Sequence, residues 1–142
     1  MLMEWELYVS SLLGSTKIGE TKLRIWTGDE MAFHRLYTGS DGHSHIEEMD
    51  LSSQPELTTL HATKGIVFRS AEPGRFSDWH NAPRRQYVIT LSGEGEIGLR
   101  DGTTHRVHPG DVNLAEDVTG DGHTTRVVGD TPRITATVHL ED

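Results

Sequence analysis

Short runs in which apolar and polar residues alternate, each fenced by turn formers, cover most of the chain. Such alternation puts one face of a run against a core and the other in water, the pattern of half-buried strands. It predicts strands at 33–37 (FHRLY), 45–49 (HIEEM), 65–70 (GIVFRS), 75–80 (RFSDWH), 85–91 (RQYVITL) and 95–99 (GEIGL). Further strands are predicted at 104–108 (THRVH), 111–115 (DVNLA), 124–128 (TTRVV) and 133–140 (RITATVHL), with an earlier pair at 5–9 (WELYV) and 22–26 (KLRIW). The intervening EPG, SGEG, RDG, HPGD, GDG and GDTP are strong turn signals. Nowhere do apolar residues recur with helical spacing through three turns. The expectation is all-β, an antiparallel sandwich or barrel, with loops at 50–57 and 10–21.

Length adds a division. The 142 residues fit one domain. Residues 1–30 differ in texture from the rest, so 31–142 is read as the barrel. The first 30 are read either as an extension packing on the barrel or on a partner subunit, or as a flexible extension with no part in the site.

Charge removes partners. With 13 Lys and Arg against 22 Asp and Glu, the net charge is −9. That disfavours any hold on nucleic-acid phosphates or anionic membranes. Without cysteine there is no disulfide, zinc-thiolate or thiol nucleophile. No run approaches the roughly 20 apolar residues of a membrane span. The start of the chain carries Glu4 and Glu6 where a signal peptide would be positive, so a cytoplasmic protein is expected.

Candidate chemistry gathers in the second half. Strand alternation points His80 and Ala82 the same way, and lets Gln86, Val88 and Thr90 line one interior across the APRR turn. Downstream, a glycine-rich loop delivers His123 at the head of a strand, with Thr125 and Val127 on its face. His80, Gln86 and His123 are therefore candidates to converge inside a barrel. Elsewhere, His43, His45 and Glu47 share a strand face with metal-like geometry, although a solvated edge strand explains them as well. His105 and His108 are read as surface residues, and His34 and His61 as single residues without partners at useful spacing. Arg84 and Arg85 are either anion donors at the barrel mouth or salt-bridging surface residues. Trp79 should face away from His80.

These positions resemble the cupin superfamily. Its first motif, His-x-His, three or four residues, Glu, six residues, Gly, is matched by His80-x-Ala82, then Gln86, then Gly93. In the second motif, Gly110 and Asp111 open, Glu116 stands at the Pro position, Gly120-x-x-His123 follows, and Val127 replaces the closing Asn. The resemblance covers about residues 65–140. It is greatest to small single-domain bacterial cupins carrying a DWHxAPRRQYV strand and an LYTGxDGxSH segment.

The resemblance implies a double-stranded β-helix (jelly-roll) barrel, RmlC-like, with an N-terminal strand extension and a homodimer. It implies metal ligands at His80, Gln86 and His123, and pocket walls at Ala82, Val88, Thr90 and Thr125. One divalent transition metal (Zn, Ni, Fe or Mn) is the implied cofactor. Yet an alanine and an amide replace an imidazole and a carboxylate, and losing a ligand weakens metal binding. Two readings stand open: a pocket that binds a small polar molecule with metal held weakly if at all, and a metal-dependent oxygenase, isomerase or lyase acting on a small polar or acidic substrate.

Overall fold

The computed structural model describes residues 30–142. The strands expected at 5–9 and 22–26 and the loop at 10–21 lie outside the described residues. Ten strands follow: β1 (Phe33–Thr38), β2 (Ser44–Met49), β3 (Thr63–Ala71), β4 (Phe76–His80), β5 (Gln86–Ser92), β6 (Glu94–Gly98), β7 (Thr104–Val107), β8 (Val112–Ala115), β9 (His123–Val128) and β10 (Arg133–Leu140). The loop expected at 50–57 holds two short 3₁₀ turns, 51–53 and 55–58. Asp50 caps the first by accepting from the Ser52 backbone N–H.

The strands form two sheets, one of six in the order β2-β1-β8-β5-β10-β3 and one of four in the order β4-β9-β6-β7. The described residues are thus all-β in two sheets, as the alternation predicts. All pairings are antiparallel except β1 with β8, which run parallel. The expectation of a purely antiparallel barrel is corrected there.

Register fixes which side chains face inward. Leu36 is wholly buried and packs with Ile97 and Val107 of the facing sheet, with Leu99 just after β6 and with Ile46 beside it. Burying one such side chain contributes about 1.5–3 kcal/mol. Leu36 pairs with Ala115, Ala115 with Gln86 and Gln86 with His139, so all four share the inner face. Two residues further along β5, Val88 stands between Asn113 and Thr137 on that face.

The interior is thus apolar on the β1–β6–β7 side and polar on the β5–β10 side, where Thr90, Asn113, Thr135 and Thr137 are buried. Outside, Ile66, Phe68 and Ile134 leave the β3–β10 face apolar and exposed. No helix among the described residues is long and apolar enough to cross a membrane.

Candidate functional site

The two histidines singled out from the sequence meet. His80 ends β4, His123 opens β9, and they are register partners with ring centroids 4.4 Å apart and planes inclined by 57°. Gly122 makes the approach possible. At φ +73°, a Cβ there would lie 2.3 Å from the His80 carbonyl oxygen, so any other residue would push the strands apart.

Each ring is tied at Nδ1. His80 Nδ1–H donates to the Asp78 carbonyl at 2.7 Å. His123 Nδ1–H donates to Asp117 Oδ2 at 2.5 Å. The same carboxylate oxygen accepts from Ser44 Oγ at 2.8 Å, which locks β2 to the loop before β9. Asp117 is completely buried, and its Oδ1 has no partner among the described residues. Its own carbonyl accepts from the Ala82 backbone N–H at 3.1 Å.

A carbonyl and a carboxylate are acceptors, so both Nδ1 atoms carry the proton in the neutral imidazoles, and both Nε2 atoms present lone pairs. Neither Nε2 makes a hydrogen bond to a described residue. The result is a close imidazole pair suited to a hydroxyl, an ammonium or a cation.

The remaining predicted residues fall as follows. Gln86 lies on the inner face of the opposite sheet, and no hydrogen bond or ring contact joins it to either imidazole. Val88 and Thr125 are half-buried, and both face inward because their register neighbours do. Thr90 is 1% exposed and forms part of the floor, where Arg133 Nη2 donates to its Oγ1 at 2.9 Å. The Arg133 guanidinium lies on Gly95 of the facing sheet, leaving no space for a Cβ, and burial lowers its pKa. Ala82 is buried, but β4 ends at His80, so strand alternation does not carry on to it.

Two imidazoles and an amide are a poor set for a resident divalent ion. Among the described residues no three His, Cys, Asp or Glu side chains are grouped to hold a metal, and a carboxylate ligand, usual at such sites, is lacking. His43 and His45 are separate ion pairs. His43 binds Asp121 at 2.5 Å, His45 binds Asp41 at 2.9 Å, and Glu47 turns to Arg35. They belong to a solvated edge, since β2 is the outermost strand.

Other expectations need correction. His108 is buried, its backbone N–H donating to Asp111, and His105 is half-buried, with desolvation pushing its pKa down. Neither is a surface residue: His105 is the register partner of the buried Ile97 and faces inward with it, and the turn at His108 is held by the buried Asp111. His61 is not alone: its Nε2 bonds the Glu56 carbonyl and its ring meets Tyr87 edge-on. Trp79 is exposed and carries Arg100 over its ring at 3.6 Å. Arg85 is a salt-bridging residue, held by Glu116 at 2.6 Å and Asp142 at 3.2 Å. Asp117 was missed altogether. Its only sequence signal was an acid six residues before His123 in a glycine-rich loop.

Neither a protein-family model nor a curated protein matches the chain. Solved structures do. A cupin 2 conserved barrel domain protein from Salinispora arenicola is 16% identical, over 87% of this chain and 91% of that one, with a TM-score of 0.46. A conserved protein with a double-stranded β-helix domain from Klebsiella pneumoniae is 23% identical, over 57% and 75%, with a TM-score of 0.44. A cupin-superfamily sugar phosphate isomerase from Silicibacter pomeroyi is 20% identical, over 72% and 61%, with a TM-score of 0.46. Similarity at this level adds no argument to the strand order and register described above. By those, the described part of the chain is an all-β fold of two sheets, one of six strands and one of four.

Proposed function

We propose that the barrel binds a small hydroxylated molecule between His80 and His123, with metal held weakly if at all. One observation carries this reading: both imidazoles spend Nδ1 on the protein and leave Nε2 as an acceptor. A ligand hydroxyl donating to that pair gains hydrogen bonds in a partly dry site. The hydrogen bond to the buried Asp117 also fixes the orientation of the His123 ring and leaves its Nε2 as the acceptor that faces a ligand. The half-buried Val88, Thr125 and Gln86 would wall the pocket, with Thr90 beneath them.

The alternative is a metal-dependent enzyme. The Asp117–His123 contact favours it, because metal-bound histidines characteristically pass their other ring N–H to a carboxylate. Elemental analysis separates the two after purification without chelator or added metal. The binding reading expects less than stoichiometric metal and no change on His80→Ala. A stoichiometric transition metal that His80→Ala removes would overturn it in favour of the enzyme.

A further inference from the structure

Four of the arginines described, Arg35, Arg85, Arg100 and Arg106, pair with carboxylates, as expected in so acidic a chain. Arg84, Arg69 and Lys64 have no carboxylate partner among the described residues, and they gather around one residue, His139. Arg84 Nη1 donates to His139 Nε2 at 3.1 Å, its only hydrogen bond among the described residues. His139 is the register partner of Gln86 on one side and Gly65 on the other, on the inner face. Arg69 lies four residues beyond Gly65 on that same face, and Lys64 precedes it at the bulge in β3.

The place is open to solvent, with Lys64, Gly65, Arg69 and Arg84 all exposed. Gly65 sits at φ +154°, and a Cβ there would meet no atom within 4 Å. β3 and β4 are outermost strands of their sheets, with no strand joining them among the described residues, and Arg84 lies in the short connection that follows His80 at the end of β4. Partial desolvation and then the charges of Arg84, Arg69 and Lys64 hold His139 below the usual imidazole range, so near neutrality it accepts from Arg84 and adds no charge of its own.

We propose that Arg84 and Arg69, with Lys64, bind the carboxylate or phosphate group of a small hydroxylated acid beside His139. Like-charged groups without counter-ions repel one another, and a bound oxyanion relieves that repulsion through charge-assisted hydrogen bonds. The proposal rests on the histidine-pair reading only for the ligand's hydroxyl end. The acid end stands on the cations alone.

The test titrates the full chain with inorganic phosphate, acetate and gluconate by calorimetry, and follows the amide of Gly65 and the ring of His139 by NMR. Phosphate or acetate should bind, shift both signals, and weaken about tenfold in Arg84→Gln and in Arg69→Gln, the scale of one charged hydrogen bond. Arg126→Gln, whose guanidinium lies over Phe76 on the outer face, should leave binding unchanged. Whichever simple anion binds more tightly identifies the acid group. Absence of binding by both anions at millimolar concentration, or equal binding by the Arg84 and Arg69 variants, would overturn the site. Gluconate should bind more tightly than acetate and lose that advantage in His123→Ala, with acetate binding unaltered. Gluconate no tighter than acetate and indifferent to His123→Ala would overturn the histidine-pair reading while the anion site stands.

Discussion

Asp111 and Asp117 are six residues apart, and both are essentially inaccessible to water, at 1% and 0% exposure. They use their carboxylates in opposite ways. Asp111 gives each oxygen to a backbone N–H, Oδ1 to Ala32 and Oδ2 to His108, both at 2.8 Å. It stitches the turn before β8 to the start of β1. Asp117 gives one oxygen to two side chains, Ser44 and His123, and leaves Oδ1 without a partner among the described residues. An unsatisfied oxygen in a buried carboxylate costs stability. Such costs are tolerated where they hold something other than the fold in place. The difference marks Asp111 as an acid that serves the turn and Asp117 as the acid on which the proposed histidine site depends.

The largest expected effect sharpens the first half of that contrast. Asp111→Ala removes two hydrogen bonds to a charged acceptor, each worth about 1.5–3 kcal/mol, and orphans two buried backbone donors. Urea unfolding should register a loss of about 3–5 kcal/mol, a large share of the stability of an ordinary domain. A loss under about 1 kcal/mol would mean that the turn holds without its carboxylate.

Asp117→Asn should do the reverse. The amide keeps the shape, and removing a buried charge offsets the weakened bonds to Ser44 and His123, so stability should change by no more than about 1 kcal/mol. Binding of a hydroxylated ligand should fall by about 10–100-fold, the usual effect of losing the group that orients a histidine. Gluconate calorimetry reads the binding and urea the fold. A stability loss equal to that of Asp111→Ala would place both aspartates in the same structural class.

Much of this was legible in the chain, and for physical reasons. A strand has a period of two residues, so Gln86, Val88 and Thr90 could be set on one face and Arg85 and Tyr87 on the other before any coordinates. The same rule brought out strands such as 133–140 with their ends in place. It failed where the chain leaves the pleat. Ala82 follows the end of β4, and Asp117 sits in an irregular loop whose residues obey no period. The parallel pairing of β1 with β8 was also hidden, since alternation tells which way a side chain points and not which strand lies beside it. Arg84 and Arg85 looked equivalent, and only the distant Glu116 and Asp142 distinguish them.

A third aspartate extends the comparison to the surface and carries the smallest effect. Asp121 repeats the Asp117 contact, its Oδ2 accepting from His43 Nδ1 at 2.5 Å, but His43 is well exposed and Arg100 shares the carboxylate at 3.7 Å. The hydrogen bond to Asp121 raises the pKa of His43, and the same bond lowers that of Asp121. The signs follow. Folded His43 holds its proton more tightly than the unfolded chain does, so its contribution is complete below the ordinary imidazole value of about 6.5 and fades as pH rises through the raised value. Asp121 contributes above the ordinary carboxylate range and is lost as pH falls through its depressed value. The pair therefore supports the fold between those limits, weakly, because water and salt screen it. Asp121→Asn should return the His43 titration, followed by NMR, towards 6.5, with a stability change smaller than that of Asp111→Ala. If His43 stayed raised in that variant, the contact with Asp121 would not be what raises it. The likeness between the exposed pair and the buried Asp117–His123 pair would then be one of distance alone.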